Sequence, residues 1–319
     1  MADLKLIFMD ITMNAELPEK KSRQKYAELL CDFMFKRLFG SESNKDVLIG
    51  FLNMIMEDHE IVDVDFIPTE HLGLTKEDRK AVFDISCRCK TGETLIIEVQ
   101  KGYQEHFRKR AVFYTSYPIN EQGRMAKEEY IREHQCKDDG EGFRWDFNLK
   151  RVTVVAILNF RFDHADGWPE ERFHSSYRLR EDRTGEVMTD VLRYVFLELG
   201  RFRKCLWELE TTFEKWMYLL KHMHEMVDIP AIFQTPDFKR LFILSEIDNF
   251  TAEEYSEYQK SLTRMSDYYN IIDSAEKRAR EEGREEGKII TARNLLQLGV
   301  EVATIAKATG LSVEDVEKL

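Results

Sequence analysis

Apolar residues at Leu29, Leu30, Phe33, Met34 and Leu38 recur at helical spacing, which predicts a helix over residues 25–40 ending at Gly40. A second helix is predicted from Ser43, with Asp46 as the fourth residue of a capping box. Val47, Leu48, Phe51, Leu52 and Ile55 form its core stripe. The period then drops to two. Val62, Val64 and Phe66 alternate with Asp63 and Asp65, which predicts a strand. Residues 81–89 and 94–100 read as two strands of a hairpin, with Gly92 suited to the left-handed turn position. A helix is predicted over residues 104–117, and Pro118 is expected to end or kink it. The uninterrupted apolar run 152–158 predicts a buried strand. Beyond Thr211 the pattern is helical, with Phe213, Trp216, Met217, Leu220 and Met223 on one face. Strands mixed with helices followed by helices alone predict an α/β layered core with an all-helical C-terminal extension.

Composition narrows the function classes. The 319 residues suggest two domains, or one large domain with appendages. With 43% apolar residues the chain can bury a sizeable core, which excludes global disorder. The net charge of −12, from 59 acidic and 47 basic residues, excludes a globally basic coat protein but leaves room for a local basic groove. Five cysteines without regular spacing read as reduced thiols, and Cys87 with Cys89 has no second pair to complete a zinc site. No apolar stretch approaches the roughly 20 residues needed to span a bilayer, and Met1 to Glu19 lacks the basic start of a signal peptide, so a cytoplasmic location without membrane contact is expected.

Asp84, Glu98 and Gln100 are the candidate chemistry. If the turn is Lys90 to Gly92, Cys89 pairs with Glu93, Asp84 falls opposite Glu98, and Val82 opposite Gln100, so all three acceptors share a face. A four-residue turn without a bulge would put Asp84 on the other face. Adjacent carboxylates among apolar neighbours repel unless a cation or proton joins them. Two hard oxygen ligands, with phosphate oxygens and waters, suit Mg²⁺ or another divalent cation. The competing reading is the polar face of a half-exposed sheet. Lys101, Arg108, Lys109 and Arg110, interleaved with Tyr103, Phe107 and Tyr114, either track a phosphate backbone or form one solvated helix face. Asp32 and Lys36 read as an intrahelical pair or as a completion of the site. His222 and His224 are two apart, which is not a helical metal pair.

Phe83-Asp84-Ile85, a turn, and Ile97-Glu98-Val99-Gln100 resemble the D…E-x-Q form of the PD-(D/E)XK nuclease core. Residues 31–40 (CDFMFKRLFG), 107–114 (FRKRAVFY), 155–160 (VAILNF) and the C-terminal Arg-Glu-Glu-Gly repeats extend that resemblance to the Rpn family of recombination-promoting nucleases and PD-(D/E)XK nuclease family transposases. The resemblance implies a restriction-endonuclease-like core, a mixed sheet flanked by helices, that hydrolyses DNA phosphodiesters in a metal-dependent reaction associated with recombination or transposition. It makes Asp84 and Glu98 the metal ligands and puts Gln100 where the signature has lysine. An amide can position water but not deprotonate it, and the missing cation could come from Lys36, Lys101 or Arg110. The alternative is a catalytically impaired DNA-binding or oligomeric relative.

The expected organisation is an arm over 1–24, a nuclease-like domain over 25–200, a helical region over 201–272, and a charged helix with short helices over 273–319. Residues 274–290 mix five acids with five bases and hold Gly283 and Gly287 on nearly one face, which suits a homodimer contact as well as a solvated helix. The tail from Val302 to Ser312 resembles the first helix and turn of a helix-turn-helix, but its acidic end favours a packing or oligomer element over a DNA reader.

Overall fold

The computed structural model describes residues 24–56, 60–71, 81–134 and 142–319. The expected arm over 1–24, apart from its last residue, and Cys136 lie outside them. The first helix, α1 (Asp32–Phe39), begins later than its apolar pattern predicts. Tyr26 instead bridges to Glu246 as extended chain, and the Ala27 N–H donates to the Ser245 carbonyl at 2.8 Å. Leu29 and Leu30 are buried without being helical. In α2 (Lys45–Ile55) the expected capping box is absent: Asn44 precedes the helix without a side-chain cap, and Asp46 pairs with Arg240 at 3.2 Å.

Six strands make one sheet: β1 (Val64–Phe66), β4 (Ile85–Cys89), β5 (Thr94–Gln100), β6 (Val152–Leu158), β8 (Val187–Glu198) and, at the edge, β7 (His174–Arg180). The short strands β2 (Glu70–His71) and β3 (Ala81–Val82) pair separately. β4 and β5 are antiparallel, and β5, β6 and β8 run parallel. The crossover from β5 to β6 is α3 (Phe107–His134), which covers one sheet face with Phe107, Ala111 and Tyr114 against Ile96, Val154, Ala156 and Phe196. Pro118 does not end α3, which runs through it. That ring lies on the buried side with Ala111, Tyr114 and Thr115, so packing offsets the lost hydrogen bond.

The helices after the sheet pack on the helices before it. In α4 (Thr212–His222), Trp216 meets Phe51 of α2 edge-on at 5.4 Å and Phe238 of α5 (Pro236–Ser245) at 5.8 Å, and Phe51 meets Phe39 of α1 at 5.1 Å. The chain divides into two compact units after Tyr258, within α6 (Ala252–Gln297). In the second unit, α7 (Val302–Thr309) and α8 (Val313–Glu317) close a small core of Ala292, Ile305, Ala306 and Val316. Gly310, at φ +75°, ends α7 in the left-handed conformation, and Ser312 caps α8 by accepting from the Asp315 N–H at 3.0 Å. Among the described residues no helix is long and apolar enough to cross a membrane.

Candidate active site

The hairpin turn is the three-residue form. The Cys89 N–H donates to the Glu93 carbonyl at 2.8 Å and the Gly92 N–H to the Cys89 carbonyl at 2.9 Å. Gly92 sits at φ +87°, a conformation that other residues adopt only with strain. The ladder then runs Arg88↔Thr94, Cys87↔Leu95, Ser86↔Ile96 and Ile85↔Ile97. One further step puts Asp84 opposite Glu98, in the expected register.

There the ladder stops, and the expected pairing of Val82 with Gln100 does not form. Val82 pairs with Glu70 instead, and the single strand expected over 81–89 is two, β3 and β4. Phe83 turns into the core, its ring 4.9 Å from that of Tyr114. The break leaves the Val99 N–H facing Asp84, whose Oδ2 accepts it at 2.7 Å, so a carboxylate replaces the missing backbone acceptor. Reciprocally, the Asp84 N–H donates to Glu98 Oε1 at 3.3 Å. The two carboxylates are thus anchored to each other's strand at the start of β4.

Glu98 is only 3% exposed. Its Oε2 accepts from Gln100 Nε2 at 3.2 Å and lies 4.0 Å from Arg110 Nη2. Gln100 Oε1 accepts from Gln104 Nε2 at 3.0 Å, and Gln104 Oε1 in turn accepts from Arg110 Nη1. Glu98, Gln100, Gln104 and Arg110 therefore close a ring. Arg110 is also held by ring faces, 4.8 Å from Phe107 and 5.5 Å from Tyr114. Burial, and then the Asp84 charge, push the Glu98 carboxyl up to about 8, against the opposing pull of Arg110. Burial likewise raises Asp84, with Lys36, Lys101 and the Val99 N–H opposing it. Burial pushes the Tyr114 hydroxyl up to about 12.

The residues singled out in the sequence separate into groups. Asp84, Glu98, Gln100, Arg110 and Tyr114 come together. Lys101 is half-buried; burial lowers its ammonium, against the charges of Asp32, Asp84 and Glu28. Asp32 and Lys36 bond to each other at 2.9 Å, the ordinary intrahelical pair, and act on Asp84 through charge. Arg108 and Lys109 are exposed, and Arg108 rests on the loop after β6, so the four basic residues do not share one face. Gln104 carried no signal of its own. Its role follows from standing four residues after Gln100 at the entrance to α3.

Among the described residues no group of three or more His, Cys, Asp or Glu side chains could hold a metal ion. Two carboxylates are still a fitting donor set for an ion that keeps several waters and takes substrate phosphate oxygens. A cation between them would relieve the repulsion that raises Glu98.

Glu98 sets a pH-dependent stability. The folded chain holds its proton up to about pH 8, whereas the ordinary value is 4.5. Between these values the folded state binds more protons, so stability falls as pH rises, and the ionised group costs folding most above pH 8. Glu98→Gln removes that cost. In chelator, melting of the variant should match the parent near pH 4 and exceed it near pH 9, by on the order of 1–3 kcal/mol. Equal melting at both ends would show that Glu98 ionises without penalty.

Two family models match the chain. Residues 29–275 match the PD-(D/E)XK nuclease family transposase model. Residues 286–319 match the Rpn/YhgA-like nuclease family, C-terminal HTH domain. That second match favours helix-turn-helix over the packing element expected from the acidic tail. No curated protein and no solved structure matches.

Proposed function

Because the chain belongs to the PD-(D/E)XK nuclease family transposases, we propose that it is a divalent-cation-dependent DNA endonuclease with Asp84 and Glu98 as the metal ligands. The observation that carries this reading is the buried carboxylate pair at the break in the hairpin, where each side chain accepts from the other strand's backbone. When bound, a divalent cation supplies positive charge to the phosphoryl oxygens and acidifies water. The chain's own residues do the rest. The backbone N–H groups of Asp84 and Val99 fix one oxygen of each carboxylate, leaving Asp84 Oδ1 and the remaining lone pairs of Glu98 for the ion. Glu98 and Gln104 hold the Gln100 amide, and Arg110 holds Gln104, so Gln100 orients rather than transfers a proton. Lys101, with no ion pair among the described residues, is the cation closest in role to the lysine that Gln100 replaces. The helix-turn-helix would supply a DNA-binding element of its own.

Manganese titration by calorimetry tests the ligand assignment. The parent should bind Mn²⁺ more tightly as pH rises from 6 to 8.5, because Glu98 must first release its proton. Asp84→Asn and Glu98→Gln should lose at least ten-fold in affinity. Unchanged binding in both variants would remove these residues from the metal site.

One observation favours a second reading, a DNA-binding relative with weak catalysis: the Gln100 amide is engaged on both sides by Glu98 and Gln104. The homodimer belongs to the proposal as well. Gly283 and Gly287 on α6 have no atoms within 4 Å of an added Cβ, which leaves room for another helix. Light scattering should then give a dimer for the full chain and a monomer for a chain ending near residue 272. A monomeric full chain would reject it.

A further inference from the structure

The parallel strands β5, β6 and β8 end side by side, with Gln100 beside Leu158 and Leu158 beside Glu198. Two inter-strand spacings separate Glu198 from Gln100, roughly 10 Å. The loop leaving β6 starts at the candidate site itself, since the Asn159 N–H donates to the Gln100 carbonyl at 2.8 Å. It carries a second polar cluster for which the nuclease chemistry has no use so far. Glu198 is fully buried. Its carboxylate accepts from the Phe162 N–H at 2.7 Å, meets His164 Nε2 at 2.7 Å, and accepts from Arg201 Nε at 3.0 Å. Arg201 balances the charge and ties back to the Phe162 carbonyl at 2.8 Å and to Glu170 at 3.2 Å. The His164 ring lies flat on Trp168, with centroids 3.8 Å apart and planes 6° from parallel.

With Nε2 donating to Glu198, the Nδ1 of His164 is left as an acceptor. Arg108 Nη2 lies 3.3 Å from it. The same guanidinium reaches the Asp163 carbonyl at 3.5 Å and sits 4.3 Å over the Phe162 ring. Arg108 is nevertheless exposed and makes no ion pair among the described residues; Asp163 turns its carboxylate to the Tyr103 hydroxyl at 3.4 Å. A guanidinium has five N–H donors, so this one is oriented by two and presents the others to solvent.

We propose that Arg108 is a preset anchor for a DNA backbone phosphate next to the cleavage site, and that His164, locked by the buried Glu198, positions it. This inference rests on the nuclease reading above. A phosphate held on Arg108, beside the loop that leaves β6 at Gln100, would fix which of its neighbours along the strand faces Asp84 and Glu98. Holding the guanidinium before DNA arrives lowers the ordering cost of binding. His164 is a positioning residue, because both its ring nitrogens are engaged and neither is free to transfer a proton.

Fluorescence anisotropy of a labelled duplex in EDTA, over a salt series, tests this without cutting. Arg108→Gln should weaken binding about five- to ten-fold and flatten the log–log salt slope by about one contact. His164→Phe keeps the ring over Trp168 but removes the acceptor facing Arg108, leaving Glu198 its Phe162 N–H and Arg201 partners. It should reproduce much of the Arg108→Gln loss, while the double variant should lose no more than Arg108→Gln alone. Arg108→Lys keeps the charge but not the fork, and should also bind more weakly than the parent. That variant tests positioning without touching the buried cluster. Parent-like binding by Arg108→Gln, parent-like binding by Arg108→Lys, or additive losses in the double variant would each overturn the inference. A parent protein that binds no duplex would instead overturn the nuclease reading, and the anchor with it.

Discussion

Asp84→Asn and Glu98→Gln should each reduce Mg²⁺-dependent nicking of plasmid DNA by at least about a thousand-fold while leaving the protein folded. The size of the effect follows from the small donor set. With two carboxylates at the strand break among the described residues, neutralising either leaves one charged ligand for a divalent ion. The folded state should not suffer, because each substitution removes one member of a repelling buried pair while the amide oxygen can still accept the Val99 or Asp84 N–H. Nicking assays paired with thermal melting separate the two properties. Parent-like cutting by both variants would place the active site elsewhere.

The second large effect is expected at Lys101. Gln100 cannot supply positive charge, Lys36 is paired with Asp32, and Arg110 is committed to Glu98 and Gln104. Lys101 remains beside Asp84, half-buried, where its charge acts in a partly desolvated setting. Lys101→Gln should lower the single-turnover cleavage rate about a hundred-fold, the typical cost of losing one transition-state donor, with little change in DNA affinity. Gln100→Lys should raise the rate of the parent and restore part of the rate lost in Lys101→Gln. An affinity loss with an unchanged rate would make Lys101 a DNA-binding residue instead.

The hairpin was readable because one glycine decides its register. Gly92 selects the three-residue turn, and period-two geometry then carries Asp84 to Glu98. The apolar run of β6 announced itself in the same way. β7 and β8 did not. β7 is an edge strand rich in polar residues, and β8 carries Asp190 and Arg193 within its apolar pattern, so neither alternation nor a continuous run stands out. The break at Phe83 was hidden because a core aromatic inside a strand pattern looks like more strand. Only the pairing of Val82 with Glu70 shows the chain leaving the ladder. The His164–Glu198 pair joins residues 34 positions apart, and its meaning depends on two parallel strands ending side by side, which no local pattern encodes.

Supercoiled plasmid incubated with the purified full-length protein, in Mg²⁺ or in EDTA, tests the nuclease assignment most directly. Nicked and linear DNA should accumulate with Mg²⁺, stop on addition of EDTA, and be absent with Asp84→Asn. Plasmid that stays supercoiled in Mg²⁺ while the protein binds it, or cutting that continues in EDTA, would contradict a metal-dependent nuclease built on Asp84 and Glu98.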